Sequence, residues 1–327
     1  MVPEVTVPTQ AGGYARRRMR ALVVTNMYPS AERPALGSFV RDQVESLRRI
    51  AGIELELFTF APGNPGAYGA AAAALRRRYG RERFDVVHAH FGLTAWPALA
   101  ARGRARAVTL HGSDLSHSRS RAISAAALPF MDLVATVSEP LARQLPRRVI
   151  RGEIAVLPCG VAIDRFRRIE RGEAREALGL RVEGPYVLFP ADPSRPEKRH
   201  DRALAVAGDV PVLTLGAVAP AEVPLWINAA NAVLVPSERE GFGLAVLEAL
   251  ACDVPVLATP VGIAPAALDG IPGTYCSPFD LGRWRAALAP HLAETDPRID
   301  GRAGAERFSA DELARRVVAA WGSLLKT

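Results

Sequence analysis

Cysteine is scarce in this chain. The three thiols among 327 residues, Cys159, Cys252 and Cys276, are too few and too scattered for a disulfide scaffold, and no two have the spacing of metal ligands. That usage suits a reducing compartment. Long apolar runs are missing as well. The longest weakly charged stretch, Ala122 to Val137, is broken by Pro129 and Asp132 and is too short for a bilayer span, so no transmembrane helix is expected. Met1 to Arg18 has no apolar segment of signal-peptide length; residues 1–18 read as a disordered leader, with Met19 a candidate true start. No Asp-x-Asp pair occurs anywhere, which removes the usual carboxylate clamp for a divalent metal on a diphosphate. A GxGxxG fingerprint is also absent: Gly241 and Gly243 are followed by Val246 where the third glycine would stand, which disfavours a nicotinamide enzyme. There is no internal repeat, and no low-complexity region beyond Ala/Arg-rich stretches.

What is present suffices for two ordinary cores, since 49% of the residues are hydrophobic and the length favours two domains. The net charge of +7 comes mainly from arginine, with clusters at Arg76, Arg77, Arg78, Arg81 and Arg83 and at Arg102, Arg104 and Arg106. Such clusters suit phosphates, anionic lipid or nucleic acid, and equally the surface of a protein from an arginine-rich proteome.

Short β-branched runs alternate with longer helix-like stretches. Ala21 to Thr25, Glu54 to Phe60, Val86 to Ala89, Ala107 to Leu110 and Leu133 to Val137 read as strands; Gly37 to Arg49 and the Ala-rich Ala70 to Arg78 read as helices. That order predicts a parallel sheet with helices on both faces. A second series follows, with strands at Tyr186 to Phe189, Val212 to Leu215, Ala232 to Val235 and Val254 to Ala258. The fold class is therefore α/β, with two Rossmann-like, doubly wound parallel-sheet domains facing a cleft. We divide the chain into residues 19–168, residues 169–309 and a terminal helical segment, 310–327, that could cross between the domains. The Arg- and Glu-rich stretch near 165–178 is taken as the linker.

The most informative segment is Pro236-Ser-Glu-Arg-Glu240-Gly-Phe-Gly-Leu-Ala-Val-Leu-Glu248-Ala-Leu-Ala-Cys252, a loop between a strand and a helix. Gly241 and Gly243 let backbone approach a ligand, and the amides of Phe242, Gly243 and Leu244 lie at the helix N-terminus, where the dipole favours a diphosphate. Glu248 is the one charged side chain on an otherwise apolar helix, so it needs a partner, and paired ribose hydroxyls would provide one. Two other readings fit these residues: Glu240 as a helix cap, and Glu248 paired with a neighbouring arginine.

Glu240 and Glu248, with seven residues between them, resemble the EX7E motif of retaining glycosyltransferases of family 4. The resemblance extends along nearly the whole chain, through Thr25-Asn-Met-Tyr-Pro-Ser30 with Gly37-Ser-Phe-Val-Arg-Asp42, Asp85-Val-Val-His-Ala-His90, Leu110-His-Gly-Ser-Asp114, Val137-Ser-Glu139, Leu157-Pro-Cys-Gly-Val161 and Pro255-Val-Leu-Ala-Thr-Pro-Val-Gly262. It implies the GT-B fold and a hexosyl- or other glycosyltransferase that takes its sugar from a nucleotide diphosphate-sugar donor, with no cofactor and no metal. By the same resemblance Glu248 holds the donor ribose, while Glu240 and the amides of Phe242, Gly243 and Leu244 hold the sugar and its phosphates. Gly37 lets the N-terminal loop close over the diphosphate, His111 lies near the transferred sugar, and Lys198, with Arg195 as an offset substitute, neutralises the leaving diphosphate.

Departures from the family pattern are Pro190-Ala191 in place of a Gly-Arg pair, Cys159 and Ala162 in place of the common Asn and Asp, and a short stretch between Asp201 and Trp226. The first concerns the leaving group. The second, lying near the linker, is expected to affect hinge contacts more than chemistry. The third predicts a trimmed base pocket.

His88 and His90 share one side of a strand without a third ligand for a metal. Residues 69–83 could form a helix with an Ala/Leu side and an Arg side, which would suit an anionic membrane beside a lipid-linked acceptor or would simply be a solvated surface helix. The expected partners are a nucleotide-sugar donor and a glycan or lipid-linked acceptor, with no nucleic acid. The expected setting is cytoplasmic, on the inner face of the membrane if that helix binds lipid, in the biosynthesis of cell-surface glycans, glycolipids or polysaccharides. The alternatives are a nucleotide-sugar epimerase or phosphorylase of the same fold, and a non-catalytic nucleotide-sugar-binding protein.

Overall fold

The computed structural model describes residues 18–216 and 218–326. The proposed leader therefore lies, all but its last residue, outside the described residues. Two parallel sheets organise the chain. The first contains β1 (Met19–Thr25), β2 (Ile53–Thr59), β3 (Phe84–His90), β4 (Gly103–Leu110), β5 (Leu133–Thr136) and β6 (Glu153–Val156), in the order β2-β1-β3-β4-β5-β6. The second contains β7 (Val187–Phe189), β8 (Val212–Thr214), β9 (Ala232–Val235), β10 (Val256–Ala258) and β11 (Tyr275–Cys276), in the order β11-β10-β9-β7-β8. Counted from each sheet's own first strand, both run 2-1-3-4-5. Each therefore has a switch point where the strand order reverses, between β1 and β3 and between β7 and β9. Ligands of such sheets bind outside the strand C-termini at that point.

Central strands read as continuous apolar runs because helices cover both faces; every residue of β3 is buried. Two strands were not anticipated. Edge strand β6 carries Glu153 and is only partly buried, and β11 is two residues long. β4 begins earlier than its apolar run because Arg104 and Arg106 flank the buried Ala105 without entering the core.

The segment read as a linker is not a solvated tether. It contains the Arg171–Ala177 helix, whose Arg171 and Arg175 are 3% and 2% exposed. Arg171 donates to the Thr295 and Pro297 carbonyls and pairs with Asp296 at 2.8 Å. Arg175 donates to the Ala229 carbonyl and the Asn231 side chain, both at 2.9 Å. Guanidinium groups can be buried here because their five donors meet several fixed acceptors at once.

The Ala-rich helix spans Pro65–Tyr79, with Asn64 as its N-cap. Ala71, Leu75 and Tyr79 are its buried positions, on one face, while Arg76, Arg77 and Arg78 remain exposed. The Ala/Leu side assigned to a membrane is therefore spent on the protein's own core.

The chain ends in a helix, Ala310–Leu324, that starts beside the second domain and packs on the first. Its entry is fixed at Val161, whose backbone exchanges bonds with Phe308 and Ala310. A Cβ on Gly160 would lie 2.3 Å from the Ala310 Cα. Ala314, Val317 and Trp321 then fill a cluster with Ala21, Leu47 and Val86. The Trp321 indole donates to His88 Nδ1 at 3.1 Å. Replacing Trp321 with Ala removes a fully buried aromatic ring and orphans that nitrogen. We expect a loss of about 3–5 kcal/mol in chemical denaturation, and a smaller loss for Trp321→Phe, which keeps most of the volume.

Candidate active site

At the second domain's switch point the loops after β7 and β9 lie side by side, joined by a bond from the Glu238 amide to the Glu197 carbonyl at 2.9 Å. Lys198 ends a single 3-10 turn, Pro196–Lys198, and its ammonium reaches both carboxylate oxygens of Glu240 at 2.7 and 2.6 Å. Ser237 donates a third bond to the same carboxylate at 2.7 Å. The stem of Glu240 passes over Gly262, where a Cβ would come within 2.9 Å of the Glu240 Cβ and 2.3 Å of the Phe242 carbonyl oxygen. Gly243, at φ 92°, starts the Leu244–Ala251 helix. Among the described residues the amides of Phe242, Gly243 and Leu244 donate to no other group, which leaves three donors at a helix N-terminus beside a lysine, a ready site for an anion.

Glu248 lies farther along that helix, partly buried. It has no direct hydrogen-bond partner among the described residues. Burial pushes its carboxyl up to about 7 against the pull of Arg165, and Asp42 pushes the same way as burial. These two residues connect the domains. Asp42, on the Ser38–Arg49 helix and 3% exposed, receives two bonds from Arg165 of the crossing segment, at 2.9 and 2.6 Å.

The first domain contributes a chain of histidines from the C-terminal ends of β3 and β4. His88 accepts from Trp321 at Nδ1, so its Nε2 carries the hydrogen and donates to Thr109 Oγ1 at 2.8 Å. Its ring stacks on His90, and His90 stacks on His111. His90 Nδ1 and His111 Nε2 share a hydrogen bond at 3.1 Å, and Cys159 Sγ stands 3.9 Å from His111 Nδ1. Burial lowers all three imidazoles below their ordinary range, His90 to about 4, so they are neutral at pH 7. The turn carrying His111 is shaped by Asp114, whose carboxylate accepts from the amides of Gly92, His111 and Gly112 at 3.1, 3.1 and 2.8 Å.

His111 is thus engaged at both ring nitrogens, and proton transfer is not what its geometry provides. Cys159, expected to matter at the hinge, belongs to the chemistry side of the cleft. His90, Asp114 and Cys159 were present in the quoted motifs but had no assigned role, because contacts between separate strands leave no spacing signal. Gly37 does what only glycine can: it takes φ 66° at the start of the Ser38–Arg49 helix, where a Cβ would lie 2.1 Å from the Met27 carbonyl oxygen. Two residues on, the Phe39 ring lies 5.0 Å from that of His111.

Arg195 is not brought into this constellation. Its guanidinium is held by Glu197 at 2.7 Å and its side chain is 55% exposed. The Asp192–Arg195 turn, closed by a bond from the Arg195 amide to the Asp192 carbonyl, keeps it on the surface, so the offset substitution does not occur.

The domains meet at backbone. A Cβ on Gly241 would lie 2.3 Å from the His111 carbonyl oxygen, and one on Gly112 would lie 3.1 Å from the Gly241 Cα. Ser138 donates to the Gly241 carbonyl at 3.0 Å. Gly241→Ala must push the Glu240 loop off the first domain. A substantial loss of kcat/KM with an unchanged circular-dichroism spectrum is expected, because about 1 Å of misplacement is enough to cost about 10²-fold.

Sequence comparisons agree with this two-part construction. The Glycosyltransferase Family 4 sequence model matches residues 4–165, and that of Glycosyl transferases group 1 matches residues 164–294. D-inositol 3-phosphate glycosyltransferase of Actinosynnema mirum is 27% identical over 387 aligned residues, covering 97% of this chain and 91% of the relative. The protein of the same name from Mycobacterium leprae is 28% identical, covering 94% and 85%. Among solved structures, sucrose-phosphate synthase of Thermosynechococcus elongatus superposes with a TM-score of 0.70 at 21% identity, covering 95% of this chain and all of that one. HepE of Anabaena in complex with UDP-glucose gives 0.69 at 17%, covering 94% and all of its own chain. With two such sheets in series and both halves matched, the chain belongs to the glycosyltransferases of family 4 and has their GT-B fold.

Proposed function

We propose that the protein moves a sugar from a nucleotide diphosphate to an acceptor hydroxyl with retention at the anomeric carbon, and that no metal ion holds the diphosphate. The observation that carries this reading is the junction at the second switch point. There Lys198, Glu240 and three unpaired amides converge at one helix N-terminus, and Glu248 stands unbonded farther along the same helix. The amides and Lys198 hold the diphosphate, Glu240 receives sugar hydroxyls while keeping Lys198 in place, and Glu248 accepts the two ribose hydroxyls.

In the reaction the bond from the anomeric carbon to the phosphate oxygen breaks, and the acceptor oxygen forms its bond on the face the phosphate leaves. The departing phosphate oxygen takes the acceptor's proton, so no side-chain nucleophile is consumed. Lys198 and the helix dipole stabilise the charge that develops on the leaving group. His111, already bonded at both nitrogens, bounds the sugar site and moves no proton.

The UDP-glucose held by HepE makes UDP-hexoses the first donors to test. The name of the curated relatives makes an inositol phosphate the first acceptor, with glycan and lipid-linked hydroxyls next. No helix of the described residues is long and apolar enough to cross a membrane, and we place the reaction in the cytoplasm.

A thermal-shift screen against UDP-, GDP- and ADP-sugars, with and without a chelator, tests the donor assignment. One nucleotide family should stabilise the protein independently of chelator, and Glu248→Ala should abolish the response. Binding without turnover with any of these acceptors would point instead to a non-catalytic carrier. Lys198→Ala should lower kcat by about 10²–10³-fold, as removal of one preorganised donor to a developing anion does.

The raised Glu248 carboxyl adds a pH test. In the free protein this group favours its protonated form, so its contribution to stability falls as the pH rises toward about 7. Ribose hydroxyls favour the carboxylate, so donor binding should strengthen as the pH rises through about 7 and should release protons there. Titration calorimetry in buffers of different ionisation enthalpy reads that release, and Glu248→Gln should show none.

A further inference from the structure

The strand N-termini of the first domain, on the edge opposite the cleft, carry a second cationic feature that the transfer reaction does not use. A cavity of about 300 Å³ is lined by Arg81, Glu82, Arg83, Arg102, Gly103 and Arg106. The two loops that form it are locked together, since the Phe84 amide donates to the Arg102 carbonyl at 2.9 Å and the Glu82 amide to the Tyr79 carbonyl at 3.0 Å. Its single carboxylate is already engaged: Glu82 pairs with Arg20 at 2.8 Å. Neighbouring acids are engaged too. Asp85 accepts from the Arg20 amide and pairs with Arg104, and Asp132 accepts the Arg106 amide at 2.8 Å.

Among the described residues the guanidiniums of Arg81, Arg83, Arg102 and Arg106 pair with no carboxylate. The Nε of Arg106 is also buried without any acceptor, and such a donor costs stability until something accepts from it. Four like charges held around one cavity by fixed backbone repel one another, and an anion with several oxygens relieves both the repulsion and the orphaned donor. Guanidinium geometry matches phosphate oxygens in pairs.

We propose that this cavity binds a phosphate group, supplied either by free phosphate or by the headgroup of an anionic phospholipid. It is distinct from the candidate diphosphate site. The seven-residue strand β3 separates its floor from His90, roughly 20 Å at the rise of a parallel strand.

The test uses the full chain in three forms: wild type, Lys198→Ala to silence phosphate binding in the cleft, and Lys198→Ala carrying Arg83→Ser and Arg102→Ser. Both arginines are exposed, and removing them relieves repulsion, so the triple variant should melt no lower than the Lys198→Ala protein. Inorganic phosphate is titrated calorimetrically, and co-sedimentation is measured with phosphatidylglycerol and with phosphatidylcholine vesicles. Binding should persist in Lys198→Ala and weaken roughly tenfold for each arginine removed, the scale of one charged hydrogen-bonding partner. A phosphate response without vesicle binding identifies free phosphate as the source. Pelleting with phosphatidylglycerol alone, lost in the triple variant, identifies the headgroup. Phosphate and vesicle binding that do not depend on Arg83 and Arg102, or no binding of either kind, overturns the proposal.

Discussion

Everything at the candidate site depends on a backbone-to-backbone approach that only glycine permits. Gly241 presents a bare Cα to the His111 carbonyl, and the residue before it is the carboxylate paired with Lys198. A side chain at that position would separate the histidines of the first domain from the anion-binding loop of the second. The same economy recurs at Gly262, which leaves room for the Glu240 stem, and at Gly37, which folds the N-terminal loop back on itself. Placement of the charged groups is thus governed by where side chains are missing.

Charge is handled differently in the two halves of the cleft. The donor side sets one short ion pair against an unpaired carboxylate whose ionisation is suppressed by burial. The acceptor side is uncharged at neutral pH, because three stacked imidazoles and a thiol share hydrogens among themselves. The chain has only two lysines, Lys198 and Lys326, against its many arginines. An ammonium is a compact point charge, and the position facing Glu240 has two carboxylate oxygens within 2.7 Å of a single nitrogen.

Much of this was legible beforehand. The repeated alternation of strands and helices predicted two parallel sheets, and the Glu240 to Glu248 segment indicated an anion site at a helix start. Other features were hidden for physical reasons. Arg171 and Arg175 read as linker charges because a sequence does not show that carbonyls of residues far along the chain will converge on them. Arg195 seemed a substitute cation, yet a tight turn and Glu197 two residues away hold it at the surface. The Ala/Leu face of the Pro65–Tyr79 helix looked free for a membrane until the sheet it covers was placed beneath it. Cys159 looked like a hinge change because its neighbour His111 is distant in sequence.

The terminal helix has a consequence for biosynthesis. Trp321, six residues from the C-terminus, fills a core made of the earliest strands of the chain. A nascent polypeptide can pair β1 to β6 while the rest is still being translated, but that face stays open until the ribosome has released the last turn. The second domain meets no such delay, since its sheet is complete at Cys276. The half synthesised first is therefore the half that finishes folding last, and a chain cut short near its end would leave its beginning unsealed.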